Sequence, residues 1–212
     1  MKLATGAELR VTGTVGECAV VCVNGGQHRE VEGTWSPTVE WLVERLAPRL
    51  PELAFAEVRY RVKSWRRLES CVEDARAALH EVDAPRVALL GFSMGGAVSI
   101  SIAAEPKVQE VVGLAPWIPD QLDVSSLRGK RLTVIHGSLD RGFPGVPGVS
   151  PSLSRKGFDR ARERGAEGSY VLVQGGVHGI ALRSPWGTLV TLPKARRWAE
   201  LVEKELRRFA AT

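Results

Sequence analysis

The stretch Val87-Ala-Leu-Leu-Gly-Phe-Ser-Met-Gly-Gly96 constrains this chain more than any other. Val87 to Leu90 are apolar without alternation, the pattern of a strand covered on both faces. Such strands belong to parallel sheets whose crossovers are helices. The residues after Gly96, Ala-Val-Ser-Ile-Ser-Ile-Ala-Ala, are small and predict a closely packed helix. Between strand and helix stands Gly91-Phe92-Ser93-Met94-Gly95. A sharp strand-to-helix turn lifts a serine away from its own backbone. It also aims a helix N-terminus, with free N–H groups, at whatever the serine attacks. Side chains at 91 and 95 would collide with neighbouring backbone, which accounts for the two flanking glycines.

The rest of the chain repeats the strand–helix alternation. Residues 1–16, punctuated by Gly6, Gly13 and Gly16, predict a short edge hairpin. Ala19–Val23 predicts a central strand ending in the Asn24-Gly25-Gly26-Gln27 loop. Ser36-Pro37 opens a helix with an N-cap and a proline at its first position, and Pro48 stops it. Further strands are expected over Phe55–Val62, Val108–Leu114, Leu132–Ile135 and, as the last, Tyr170–Val173. Helices are expected over about Arg67–Val82, from near Pro151 past Phe158–Arg164, and over about Pro193–Phe209. The alternation implies a mostly parallel sheet with helices on both faces, in one domain spanning residues 1–212. Ligands of such sheets bind beyond the C-terminal strand ends.

Ser93, Asp140 and His178 each come just after a predicted strand end, in the order Ser…Asp…His. That places a nucleophile, an acid and a base on one rim of the sheet. Asp120 and Asp123 come after the preceding strand and compete with Asp140. The other histidines are less well placed: His28 is next to the glycine loop, His80 is mid-helix, and His136 precedes Asp140 by four positions.

Charge and cysteine content exclude other classes. The net charge is +5, but the basic residues are scattered and not interleaved with aromatics, which argues against a nucleic-acid partner. No apolar run is long enough to span a membrane. Glu8 and Arg10 interrupt any signal-peptide core, so a cytoplasmic location is expected. Cys18, Cys22 and Cys71 lack a second pair or a nearby histidine cluster, and read as buried reduced thiols rather than a metal site.

Gly-Phe-Ser-Met-Gly-Gly at 91–96, His-Gly-Ser-Leu-Asp at 136–140 and Gly-Gly-Val-His-Gly at 175–179 together resemble the α/β-hydrolase superfamily. The resemblance covers the chain from about Ala19 onward. Compact dienelactone-hydrolase-like and small esterase-like members are the nearest comparison, although true dienelactone hydrolases carry cysteine where this chain has Ser93. The resemblance implies a three-layer α/β-hydrolase fold. It implies Ser93 as nucleophile, His178 as general base and acid, and Asp140 as the residue that orients His178. It also implies an oxyanion hole made by the Met94 amide and, from the loop after Ala19–Val23, Gly26, with Gln27 as second choice and Asn24 in place of the usual histidine.

Only Ala115 to Lys130 separates two predicted strands where lids are often inserted, so no large cap domain and a fairly open site are expected. Trp65 and Trp117 are candidate substrate-binding residues, with Tyr60, Phe92 and Trp186 as further aromatics and Arg61 and Arg141 as rim cations. The expected activity is cleavage of a small-molecule acyl substrate, foremost a carboxylic ester, with no metal or diffusible cofactor. A thioesterase, peptidase or acyltransferase would use the same residues. A non-catalytic ligand-binding protein on this fold, or a redox protein using Cys18 and Cys22, are the readings from other classes.

Overall fold

A computed structural model describes residues 1–141 and 148–212. The strands of the main sheet are β1 (Glu8–Thr12), β2 (Cys18–Val23), β3 (Leu53–Arg59), β4 (Arg86–Phe92), β5 (Val108–Leu114), β6 (Arg131–Gly137) and β7 (Glu167–Val173). The helices are α1 (Pro37–Leu46), α2 (Leu68–Glu81), α3 (Met94–Ile102), α4 (Pro151–Glu163) and α5 (Ala195–Ala211). The strand order is β1-β3-β2-β4-β5-β6-β7. Every neighbouring pair is parallel except β1 with β3. This is the expected three-layer arrangement, and among the described residues no large cap domain stands over it. The β5–β6 connection contains only the 3-10 turn Ser125–Leu127.

The two sheet faces bury different halves of each central strand, because successive side chains point opposite ways. Ala19, Val21 and Val23 of β2 pack with Cys71, Ala75 and Leu79 of α2, Val98 of α3 and Phe158 of α4. Cys18, Val20 and Cys22 pack on the other face with Val39, Leu42 and Leu46 of α1 and Trp198, Val202 and Leu206 of α5. All six residues of β2 are buried, which explains its unbroken apolar sequence. The three cysteines are buried and free. Burial pushes the Cys22 thiol well above its usual pKa and that of Cys71 to about 11, so neither is a ready thiolate.

Chain order reverses between β2 and β4. After β2 the chain goes outward to β3; after β3 it returns to the other side of β2 as β4. Loops leaving β2 and β4 diverge there and open a crevice at the C-terminal strand ends. That crevice holds the Asn24–Gln27 loop on one side and Ser93 on the other.

One expectation is met in part and one needs correction. Residues 1–9 form a short hairpin at the sheet edge: the Met1 ammonium donates to Leu9 O at 2.7 Å, Leu9 N to Met1 O at 2.9 Å and Leu3 N to Ala7 O at 2.8 Å, beside the bridge of Lys2 with Glu8. The main partner of β1 is β3, in antiparallel register from Glu8–Arg59 to Thr12–Phe55. Arg10 then reaches the buried carboxylate of Glu57 at 2.9 Å, a long-range pairing that local pattern does not reveal. Tyr170–Val173 is not the last strand segment. A separate antiparallel ribbon comes after it, β8 (Ala181–Arg183) with β9 (Leu189–Thr191). Its strands are three residues each, too short for a clear alternation.

Leu42 of α1 is fully buried against the sheet. Leu42→Ala should lower stability by about 2–5 kcal/mol, read from urea denaturation. A loss below about 1 kcal/mol would show that α1 is not packed closely on the sheet.

Candidate active site

Ser93 sits at the turn between β4 and α3 with φ 55° and ψ −118°, a conformation that L-residues rarely adopt. Tertiary hydrogen bonds hold the turn. The Ser93 amide donates to Leu114 O at 2.9 Å, and its carbonyl accepts from the amides of Gly96 and Trp117, both at 2.9 Å. The flanking glycines are required by close approach. A Cβ on Gly95 would lie 2.3 Å from the Val23 carbonyl oxygen, and one on Gly91 would lie 2.4 Å from that of Gly95. The strain at Ser93 is therefore offset by β2, β4 and β5 together.

Asp140 and His178 leave β6 and β7, which are adjacent. The turns after these strands are tied by three hydrogen bonds. Ser138 N donates to Val173 O at 3.0 Å, Leu139 N to Gly176 O at 2.8 Å, and Gly175 N to Ser138 Oγ at 2.9 Å. Gly175 and Gly179 take positive φ, 72° and 94°, so the loop folds back on both sides of His178. Thr38 of α1 secures the far side, where its hydroxyl accepts from Ile180 N at 3.0 Å.

The result brings the three residues into one line. His178 Nδ1 lies 2.6 Å from Asp140 Oδ2, and His178 Nε2 lies 3.1 Å from Ser93 Oγ. A carboxylate only accepts, so Nδ1 carries the hydrogen and Nε2 is left to accept from the serine hydroxyl. The His178 ring also packs on Phe92, with centroids 5.1 Å apart. Asp120 and Asp123 are elsewhere: Asp120 pairs with Lys156 and Arg160 on the surface, and Asp123 caps Ser125.

A second histidine, which sequence reasoning sets aside, stands behind the carboxylate. His136 is fully buried at the end of β6. Its Nε2 lies 3.0 Å from Asp140 Oδ2 and 2.9 Å from Val149 O, so this nitrogen carries a hydrogen toward two acceptors. Its Nδ1 lies 2.6 Å from Ser154 Oγ on α4, which in turn meets Tyr170 Oη at 3.0 Å. The signal is present as the four-residue spacing from His136 to Asp140, but spacing alone does not show two rings converging on one oxygen. Burial pushes the Asp140 pKa up, yet the hydrogen bonds and charges of His136 and His178 outweigh it and hold the carboxyl below its usual value.

The Met94 amide begins α3 beside Ser93. Among the described residues it donates to no backbone or side-chain acceptor, and neither do the amides of Gly25, Gly26 and Gln27. Gly26 packs so tightly on Met94 that a Cβ there would lie 2.2 Å from Sδ. Two hollows meet at Ser93. One, of about 200 Å³, is lined by Trp65, Met94, Trp117, Gly148, Val149 and Leu153. The other, of about 130 Å³, is lined by the Asn24–Gln27 loop, Thr38, Lys63, Phe92, His178 and Leu182 among others. Tyr60 is instead buried, its hydroxyl donating to Asn24 O at 3.0 Å. Trp186 is 88% exposed and lines neither hollow. Arg61 is committed to Asp74 and Glu73, and Arg141 is an exposed residue outside both linings. Among the described residues no three His, Cys, Asp or Glu side chains are grouped to hold a metal ion, and no helix is long and apolar enough to cross a membrane.

Solved structures of the same architecture span nearly the whole chain. Est1E from Butyrivibrio proteoclasticus, with ferulic acid bound, is 12% identical, with 97% of this chain and 96% of that one covered and a TM-score of 0.69. The chain has the α/β-hydrolase fold. An α/β serine hydrolase homologue from Coxiella burnetii is 19% identical over 94% of this chain and 91% of that one, with a TM-score of 0.65. A Xanthomonas campestris protein described as an a/b serine hydrolase without lid is 16% identical over 100% and 92%, with a TM-score of 0.65. No family model and no curated protein matches the sequence. The likeness to other α/β-hydrolase folds is therefore carried by backbone geometry.

Two measurements test the buried carboxylate. Its folded pKa is depressed, so the stability it contributes is complete above the unfolded value of about 3.9 and is lost as pH falls through the lower folded value. Urea midpoints should drop below about pH 4 in the wild type and drop less in Asp140→Asn; equal declines would exclude Asp140 as the titrating group. His136→Phe removes a buried donor to a charged acceptor and should cost about 1.5–3 kcal/mol at pH 7. An unchanged midpoint would show that the contact contributes nothing.

Proposed function

We propose that this chain is a serine hydrolase that cleaves a small acyl compound, foremost a carboxylic ester, through an acyl-enzyme. The observation that carries the reading is the position of His178, with one ring nitrogen on Asp140 and the other on Ser93. A structural hydrogen-bond chain does not require the serine to sit on a strained turn at the mouth of two hollows.

The proposed reaction is built on that geometry. Ser93 Oγ attacks the acyl carbon while His178 Nε2 takes its proton. Asp140 holds the Nδ1 hydrogen and stabilises the imidazolium. The carbonyl oxygen becomes an oxyanion, which the amides of Met94 and Gly26 would meet. Collapse of the tetrahedral intermediate breaks the bond to the leaving group, which departs with the proton from His178. Water then attacks the acyl-Ser93 ester by the same route and releases the acid. Trp65 and Trp117 would form apolar walls for the acyl group. That solved structures of this fold include an esterase and a monoacylglycerol lipase supports the ester as the first substrate class to try.

A fluorophosphonate probe should label the wild-type protein and leave Ser93→Ala unlabelled. On p-nitrophenyl esters, Ser93→Ala and His178→Ala should each lower kcat by about 10³-fold or more, and acetate or butyrate should be turned over faster than palmitate. Equal labelling of wild type and Ser93→Ala would overturn the nucleophile. Faster turnover of palmitate would overturn the acyl pocket.

A further inference from the structure

The two hollows at Ser93 differ in charge. Among the described residues, the one walled by Trp65, Met94, Trp117, Val149 and Leu153 is lined by no acidic, basic or histidine side chain. The one on the other side is lined by His178 and, as the one lysine or arginine among the described residues, Lys63. The chemistry tells the two apart. A leaving group must receive its proton from His178, so it departs through the hollow that His178 lines. The acyl group then occupies the apolar hollow.

Lys63 is held in place without a counter-charge. Its amide donates to Val31 O at 2.8 Å, beside the isolated bridge from Glu32 to Val62. Its ammonium donates to the Thr34 hydroxyl at 2.9 Å. Among the described residues no carboxylate lies within 4.0 Å of it. Its neighbours differ: Arg59 pairs with Glu8 and Glu32, and Arg61 with Glu73 and Asp74. Burial lowers the Lys63 pKa, with no opposing charge to restore it. A partly desolvated ammonium facing a cleft and lacking an anion is unfavourable until an anion arrives.

We infer that the His178-side cleft receives a leaving group bearing a carboxylate, with Lys63 as its counter-ion. This rests on the proposed hydrolase activity and names the substrate class of that site. One ammonium matches a monoanion; a dianionic phosphate would leave a second charge unpaired in the same cleft. Lys63 touches the leaving group and not the reacting atoms, so it is a specificity-determining residue, not a catalytic one.

The test uses three butyryl esters with matched leaving groups: 4-hydroxyphenylacetate, 4-hydroxyphenylacetamide and the corresponding trimethylammonium phenol. The methylene spacer keeps the reacting oxygen electronically similar. Wild-type kcat/KM should favour the carboxylate ester over the amide ester by roughly tenfold or more, the scale of a hydrogen-bonded charge pair. In Lys63→Met that ratio should fall to about one, and Lys63→Glu should favour the trimethylammonium ester. Lys63 is partly exposed, and folding of both variants is checked by thermal melting. A wild-type ratio near one, or a ratio that survives both substitutions, overturns the inference. If fluorophosphonate still labels Ser93 in that case, the hydrolase reading stands and only the charge assignment falls. If Ser93 does not react and no ester is cleaved, both fall.

Discussion

A carboxylate sealed from water sets the terms for this site. Asp140 is 2% exposed, and a buried negative charge persists only where donors replace its hydration. Two imidazole rings do so on a single oxygen, Oδ2, one from the adjacent turn and one from the strand that leads into Asp140. Each ring is oriented in turn. His178 is held between the carboxylate and Ser93, and His136 by Ser154 of α4 and the Val149 carbonyl. The chain of contacts therefore runs from the strained serine through both histidines into the helical layer. Among the described residues the other oxygen, Oδ1, has no donor.

That arrangement needs the sheet to be built in one order. Ser93 comes after β4, and its backbone is pinned by β5 through the Leu114 carbonyl. Asp140 and His178 come after β6 and β7, whose turns are laced by hydrogen bonds before either side chain is considered. The proposed oxyanion loop leaves β2, on the far side of the reversal in strand order. Four parallel strands thus deliver their C-terminal ends to one rim, and the glycines at 91 and 95 let that rim close. The same packing divides the space around Ser93 into an apolar hollow and a charged one.

Much of this is legible in the chain because the governing signals are local. Val108–Leu114 falls at the observed bounds of β5. The Ser36 side chain accepts from Val39 N at 3.4 Å, as an N-cap before Pro37 should. Trp65 and Trp117, candidate pocket residues by their aromatic character, line one hollow with Ser93. The errors lie where partners are distant or elements short. The pairing of β1 with β3 is not visible in local pattern, and the β8–β9 ribbon is too brief to show a period. Tyr60 and Arg61 resemble rim residues in sequence because they fall near the end of the expected Phe55–Val62 strand, whereas β3 ends before them at Arg59. Their commitment to Asn24 O and Asp74 arises only in the packed fold. Nothing in the sequence singles out Lys63, since a lysine there has no visible neighbours.

The sequence by itself determined the layered α/β class, the sharp strand–serine–helix turn and the order in which Ser93, Asp140 and His178 appear. It did so because unbroken apolar runs, helix caps and glycine spacing act over a few residues, and strand–helix alternation brings the residues after each parallel strand to one rim. Tertiary structure decided that a second histidine, His136, stands behind the acid, and that Lys63 has no carboxylate within 4.0 Å among the described residues. These depend on distances of about 3 Å between residues far apart in the chain. Periodicity can place side chains on the same edge, but only the packed sheet fixes which atoms there face one another.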